Sequence, residues 1–103
     1  RKRISVAFLT GEQAGQVYQI GKPEISIGRA GTDIILDDPE CSRIHAVLEI
    51  GSEGVMIRDL NSTNGTFMDG IRITESKLEN QEEFSIGSTT MMLIIRDTEG
   101  ALT

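Results

Sequence analysis

Tryptophan is absent from this chain, and cysteine and histidine occur once each, as Cys41 and His45. A single cysteine cannot close an internal disulfide, so nothing points to an oxidising compartment and a reducing cytoplasm is the expected setting. The same scarcity argues against zinc, because a structural site takes about four ligands, mostly cysteine or histidine. Neither a metal nor any other cofactor is expected. No apolar run approaches the roughly 18 residues needed to cross a bilayer, so no membrane insertion is expected. Positive charge is also scarce: 10 Lys and Arg stand against 16 Asp and Glu, for a net charge of -6. That balance excludes a broad basic face neutralising many phosphates at once, and nucleic acid is not an expected partner. Also missing are the G-x-G-x-x-G and G-x-x-x-x-G-K-[ST] loops that cradle nucleotide phosphates, and any window with a sustained helical period.

What is present reads as strand after strand. At 103 residues, 38% hydrophobic and 25% charged, the chain fits one soluble globular domain over 1–103, with a core of about 4–97. Segments rich in Val, Ile, Phe and Tyr run from Ile4 to Leu9, Gln16 to Ile20, Ile25 to Gly28, Asp33 to Leu36 and Ala46 to Ile50. They continue from Val55 to Leu60, Thr66 to Met68, Gly70 to Ile73, Glu83 to Gly87 and Thr90 to Arg96, separated by Gly, Asn, Asp and Pro. Thr74 to Glu82 fits either a minor strand or a helical turn. The pattern predicts an all-β sandwich or barrel. Arg1 to Arg3 and Thr98 to Thr103 read as frayed ends, and an opening Arg in place of Met predicts a portion of a longer protein.

Three constellations carry possible chemistry. Ser42 and His45 offer a nucleophile and a base, but residues three apart in a strand point to opposite faces, which argues against a hydrolytic dyad. Asp59, Asn61 and Thr63 alternate as in a calcium loop, yet Asn64 stands where that loop needs Gly and Gly70 where it needs an acid. Asn64-Gly65 is a strong signal for a type I′ hairpin turn. The Ser62 and Thr63 hydroxyls, however, with Asp59 and Asn61 before them, give this loop more hydrogen-bonding capacity than a two-residue turn requires.

Gly28-Arg29 ends one strand, Ser42-Arg43-Ile44-His45-Ala46 begins another, and Asn64-Gly65-Thr66-Phe67 follows a third. With Asp59-Leu60, Asp69-Gly70-Ile71 and Phe84-Ser85-Ile86-Gly87, these motifs resemble in order and spacing the forkhead-associated (FHA) domain over nearly the whole chain. The resemblance implies an all-β, SMAD/FHA-like sandwich of two largely antiparallel sheets with about eleven short strands. It implies a non-enzymatic module whose loops hold a phosphothreonine-containing segment, in trans or from its own full-length chain. Its oligomeric state stays open. Carried over residue by residue, Arg29 and Ser42 contact the phosphate with Arg43 beside them, Thr63 also donates to it, and Asn64 holds the peptide backbone. Gly28, His45 and Gly65 shape the loops without touching ligand.

The residue chemistry agrees. A phosphate carries about -1.5 to -2 charges and three acceptor oxygens, so it calls for convergent donors with at least one fixed cation. Arg29 and Arg43 supply cations, Ser42 and Thr63 hydroxyls. Charge-assisted hydrogen bonds contribute roughly 1.5 to 3 kcal/mol each, whereas the repulsive net charge is screened within about 8 to 10 Å. Asp37 to Cys41 is an acidic stretch, and Glu40 is expected to disfavour acidic residues a few positions after the phosphothreonine. The alternative is a phosphate-independent interaction or oligomerisation domain on the same fold.

Overall fold

The structure is a computed structural model and describes residues 2–98. Eleven strands follow one another: β1 (Lys2–Phe8), β2 (Val17–Gln19), β3 (Glu24–Gly28), β4 (Ile34–Ile35), β5 (Ala46–Gly51), β6 (Gly54–Asp59), β7 (Thr66–Met68), β8 (Ile71–Ile73), β9 (Glu75–Leu78), β10 (Glu83–Ile86) and β11 (Thr89–Asp97). They form a six-stranded sheet in the order β2-β1-β11-β10-β7-β8 and a five-stranded sheet in the order β4-β3-β5-β6-β9. Every pairing is antiparallel except β3 with β4, which is parallel.

Alternation decides which side chains meet between the sheets. Ile25 and Ile27 of β3 are buried while Ser26 between them is only half-buried, and Met91 and Leu93 of β11 are buried while Met92 is not. Facing positions add Val6, Leu48, Ile57, Phe84 and Ile86 to one continuous cluster. Because the core is chiefly aliphatic, the sheets are held by many small dispersion contacts and by burial of apolar area rather than by ring stacking. Among the described residues, no buried side-chain nitrogen or oxygen lacks a hydrogen-bond partner.

Several boundaries differ from the sequence reading. The ambiguous Thr74–Glu82 span contains a strand, β9, whose one buried side chain is Leu78; a single apolar anchor leaves little periodicity to read. Lys2 and Arg3 are not frayed: they lie in register with Asp97 and Arg96, because a ladder partner can hold polar residues that hydrophobicity does not. The expected fraying of Arg1 and of 99–103 lies outside the described residues.

The turn signals also land elsewhere. Outside glycine, positive φ among the described residues is confined to Asn61, Asp69 and Gln81, so Asn64-Gly65 is not a type I′ turn. Asp69 at 52° and Gly70 at 75° supply that geometry instead, joining the paired Met68 and Ile71 of β7 and β8. The strand before Asn64 belongs to one sheet and the strand after it to the other, so 60–65 crosses between layers and cannot be a hairpin.

Candidate functional site

One end of the sandwich gathers three connections. The β3–β4 loop begins at Arg29, the β4–β5 loop runs from Leu36 to His45, and the β6–β7 crossover runs from Leu60 to Gly65. Between them lies a cleft of about 350 Å³ lined by Arg29, Ser42, Arg43, Thr63 and Asn64, with Pro39, Glu40 and Cys41 along one side. All five residues expected to touch ligand therefore share one concavity.

Short bonds fix its walls. Arg29 Nη1 donates to the Cys41 carbonyl at 3.1 Å, and the Arg29 amide donates to the Ser42 and Arg43 carbonyls at 3.0 Å each. The Thr63 amide donates to Ser42 Oγ at 3.1 Å, and Asn64 Nδ2 donates to the Glu40 carbonyl at 3.0 Å. Each bond joins two different loops. The Arg43 guanidinium and the Thr63 hydroxyl are exposed and have no side-chain partner among the described residues, so both stay available to a ligand. Ser42 Oγ keeps its own proton to donate, since it accepts from Thr63.

Beneath this rim, His45 is fully buried. Its Nδ1 accepts the Ser42 amide at 2.9 Å, which places the proton on Nε2, and Nε2 donates to the Gly65 carbonyl at 2.9 Å. One ring thus ties two of the three loops together. No Ser42 Oγ to His45 contact exists among the described residues, so the two do not form a nucleophile and base. Gly28 has an ordinary φ but a steric need: a Cβ there would sit 2.0 Å from the Arg43 carbonyl oxygen. Gly65, at φ 97°, is covered by the Arg72 side chain, whose Nη2 donates to the Ser62 carbonyl at 3.2 Å. Arg72 therefore braces the outer flank of the crossover, while Arg58 pairs with Glu49 at 2.7 Å on the neighbouring strand.

The donor-rich DLNSTNGTF stretch divides into two roles. Asp59 Oδ1 accepts from Ser62 Oγ at 2.6 Å and Thr66 Oγ1 at 2.7 Å, Oδ2 accepts the Ser62 amide, and Ser62 Oγ accepts the Gly65 amide. Those groups are spent internally; Asn61, Thr63 and Asn64 are exposed, and of these Thr63 and Asn64 line the cleft. Desolvation pushes the Asp59 carboxyl up, but its bonds from Ser62 and Thr66, with nearby His45, outweigh it and hold the group below the usual carboxylate range. Asp38 is lowered likewise by bonds from Glu40, Ser88 and Thr89 against desolvation. Asp33 is lowered to about 2, first by Lys22 and then by Ser26. A depressed native pKa stabilises the fold above the unfolded carboxylate value near 3.9, and the benefit is lost as pH falls through the native value. The urea midpoint should therefore drop from about pH 4 downward, toward about 2 for the Asp33 contribution. Asp59→Asn should flatten that acid limb; an unchanged slope would contradict the assignment.

Desolvation, then Asp38, pushes the Cys41 thiol up to about 11, Arg29 opposing; the thiol is neutral at physiological pH and no nucleophile. Among the described residues no cluster of three or more metal-ligating side chains occurs. A larger cleft of about 450 Å³ lies at the other pole, around the β5–β6 turn. It sets Glu49 and Glu53 against one Lys77 over Ile50, Val55 and Met56, a lining that repels a dianion. Charge, not size, selects the smaller cleft.

The sequence reading missed Asp38 and the carbonyls of Glu40 and Cys41. Asp38-Pro39-Glu40 carries an Asx-turn signature, realised as a 2.9 Å bond from the Glu40 amide to Oδ1. The bonds from Ser88, 50 positions along, leave no trace in local pattern.

A two-sheet sandwich with a donor-lined cleft formed by these loops is the architecture of forkhead-associated domains. The FHA domain of CT664 from Chlamydia trachomatis superposes with a TM-score of 0.82 at 29% identity, covering 89% of this chain and 96% of that one. Mycobacterium tuberculosis EmbR, solved in complex with a low affinity phosphopeptide, gives a TM-score of 0.81 at 26% identity over 89% of this chain and 24% of EmbR. The family described as "Inner membrane component of T3SS, cytoplasmic domain" matches residues 7–97, and the chain belongs to that family, within the forkhead-associated fold. Glycogen accumulation regulator GarA of Mycolicibacterium smegmatis is 31% identical over 85 residues, 82% of this chain and 54% of GarA, so the chain spans about half of that relative. No helix among the described residues is long and apolar enough to cross a membrane.

Proposed function

We propose that this chain is a non-catalytic cytoplasmic module that grips a phosphothreonine-containing protein segment and so makes a protein contact conditional on phosphorylation. The segment comes from a partner or from elsewhere in the chain's own full-length protein. One observation carries the reading: Arg29, Ser42, Arg43, Thr63 and Asn64 converge from three loops on one cleft, with hydroxyls and a guanidinium left unspent. A phosphate dianion is the ligand that uses such a set, because it accepts several bonds at once and favours cations. The phosphopeptide bound to EmbR, a structural relative, supports the same chemistry. The FHA-like core and the family's cytoplasmic description agree with it.

Calorimetric titration with a phosphothreonine peptide and its unphosphorylated twin tests this. Two charge-assisted bonds of roughly 1.5 to 3 kcal/mol each predict a preference of at least about a hundredfold. Equal affinities for the two peptides would end the proposal. Glu40 is exposed on the cleft wall, so an oriented peptide library should show acidic residues disfavoured a few positions after the phosphothreonine; enrichment of acids there would remove Glu40 from the specificity set.

A further inference from the structure

The β10–β11 turn, Gly87-Ser88, touches no part of the cleft, yet it holds the loop that builds the cleft's wall. Asp38 is buried, with Oδ2 accepting the Ser88 amide at 2.9 Å, Ser88 Oγ at 3.0 Å and Thr89 Oγ1 at 3.3 Å. Its Oδ1 accepts the Glu40 amide, and its carbonyl accepts the Cys41 amide at 2.9 Å. Gly87 makes room: a Cβ there would lie 2.5 Å from Oδ1. The turn is itself anchored, since Thr10 Oγ1 donates to the Ser88 carbonyl and accepts the Thr90 amide. One carboxylate thus clamps 38–41 against the opposite sheet.

The two carbonyls that leave this clamped segment are the ones that hold the ligand-facing residues. Glu40 receives Asn64 Nδ2, and Cys41 receives Arg29 Nη1. We propose that Asp38 and Ser88 form a latch that positions the phosphate cleft, Asp38 acting through the Glu40 and Cys41 carbonyls to fix Asn64 and Arg29. This rests on the binding function proposed above. Without the Asp38 carboxylate, four donors would have to find water and the 38–41 segment would lose its tie to the six-stranded sheet. Arg29 and Asn64 would then pay more conformational entropy on binding, so affinity would fall without any loss of a ligand contact.

The test compares Asp38→Ala, Ser88→Ala, Ser88→Thr and, as a stability control, Val55→Ala, whose buried side chain lies at the far pole. Two readouts are taken: affinity for the phosphothreonine peptide, and the alkylation rate of Cys41 in native buffer, the chain's one thiol. Asp38→Ala should lose at least about tenfold in affinity and Ser88→Ala about threefold, with Ser88→Thr restored. Cys41, buried at the end of the latched segment, should alkylate about threefold faster in Ser88→Ala, which keeps the Asp38 charge beside the thiol, at a rate insensitive to low urea, the mark of local opening. Val55→Ala should change neither, although it melts earlier. Wild-type affinity in Asp38→Ala with wild-type alkylation in Ser88→Ala, or changes of equal size in Val55→Ala, would overturn the latch. If the wild type binds no phosphopeptide, the functional reading fails, and the alkylation rates alone decide the latch.

Discussion

Arg29→Ala should weaken phosphothreonine-peptide binding by about ten- to a hundredfold, about 1.4 to 2.8 kcal/mol, with a melting temperature close to wild type. The guanidinium is exposed at the mouth of the cleft, so its removal opens no core cavity. Its one side-chain bond among the described residues, to the Cys41 carbonyl, aims the fork and leaves other N–H groups for an oxyanion. Lysine should recover only part of the loss, because a point charge cannot reproduce a planar fork. Arg43→Ala should cost less, since Arg43 has no such tether among the described residues and must be ordered by the ligand. Isothermal titration on the three variants checks this; wild-type affinity in Arg29→Ala would remove the cation from the site.

His45→Ala should do the reverse and strike the fold first. The ring is fully buried, and its loss strands the Ser42 amide and the Gly65 carbonyl in a cavity. Unsatisfied buried groups cost about 1 to 3 kcal/mol each, and large-to-small core changes about 3 to 5 kcal/mol. Together they come to about 5 kcal/mol or more, which corresponds to a melting point lower by on the order of 20 °C or more for a chain of this size. Thermal denaturation with and without peptide would show it. A destabilisation under about 1 kcal/mol would mean that the loops hold together without the ring.

Legibility followed the range of the interaction. Strand positions were readable wherever apolar residues alternate, as at Ile25 and Ile27, because burial and period report each other. β9 was ambiguous because Leu78 is its only buried residue. Arg29, Ser42 and Thr63 could be placed in one site through family motifs; their actual meeting depends on β3, β5 and β6 lying side by side, which no local window contains. Asn64-Gly65 carries hairpin chemistry and makes none, since a crossover between sheets outranks a dipeptide preference, and Asp69-Gly70 took the turn instead. Asp38 was visible as one of several acids in a loop. Its role emerges only when the hairpin 50 positions later folds over it.

The 60–65 crossover has a mechanical consequence. Among the described residues the two sheets share no ladder bond and are joined by side-chain packing, connecting segments and side-chain hydrogen bonds such as Ser88 to Asp38. A peptide lying across Arg29, Ser42 and Asn64 would grip one loop carried by the five-stranded layer and another that leads into the six-stranded layer, acting as an external strut. Occupancy would then be felt as slower amide exchange in both layers at once, far beyond the atoms the peptide touches.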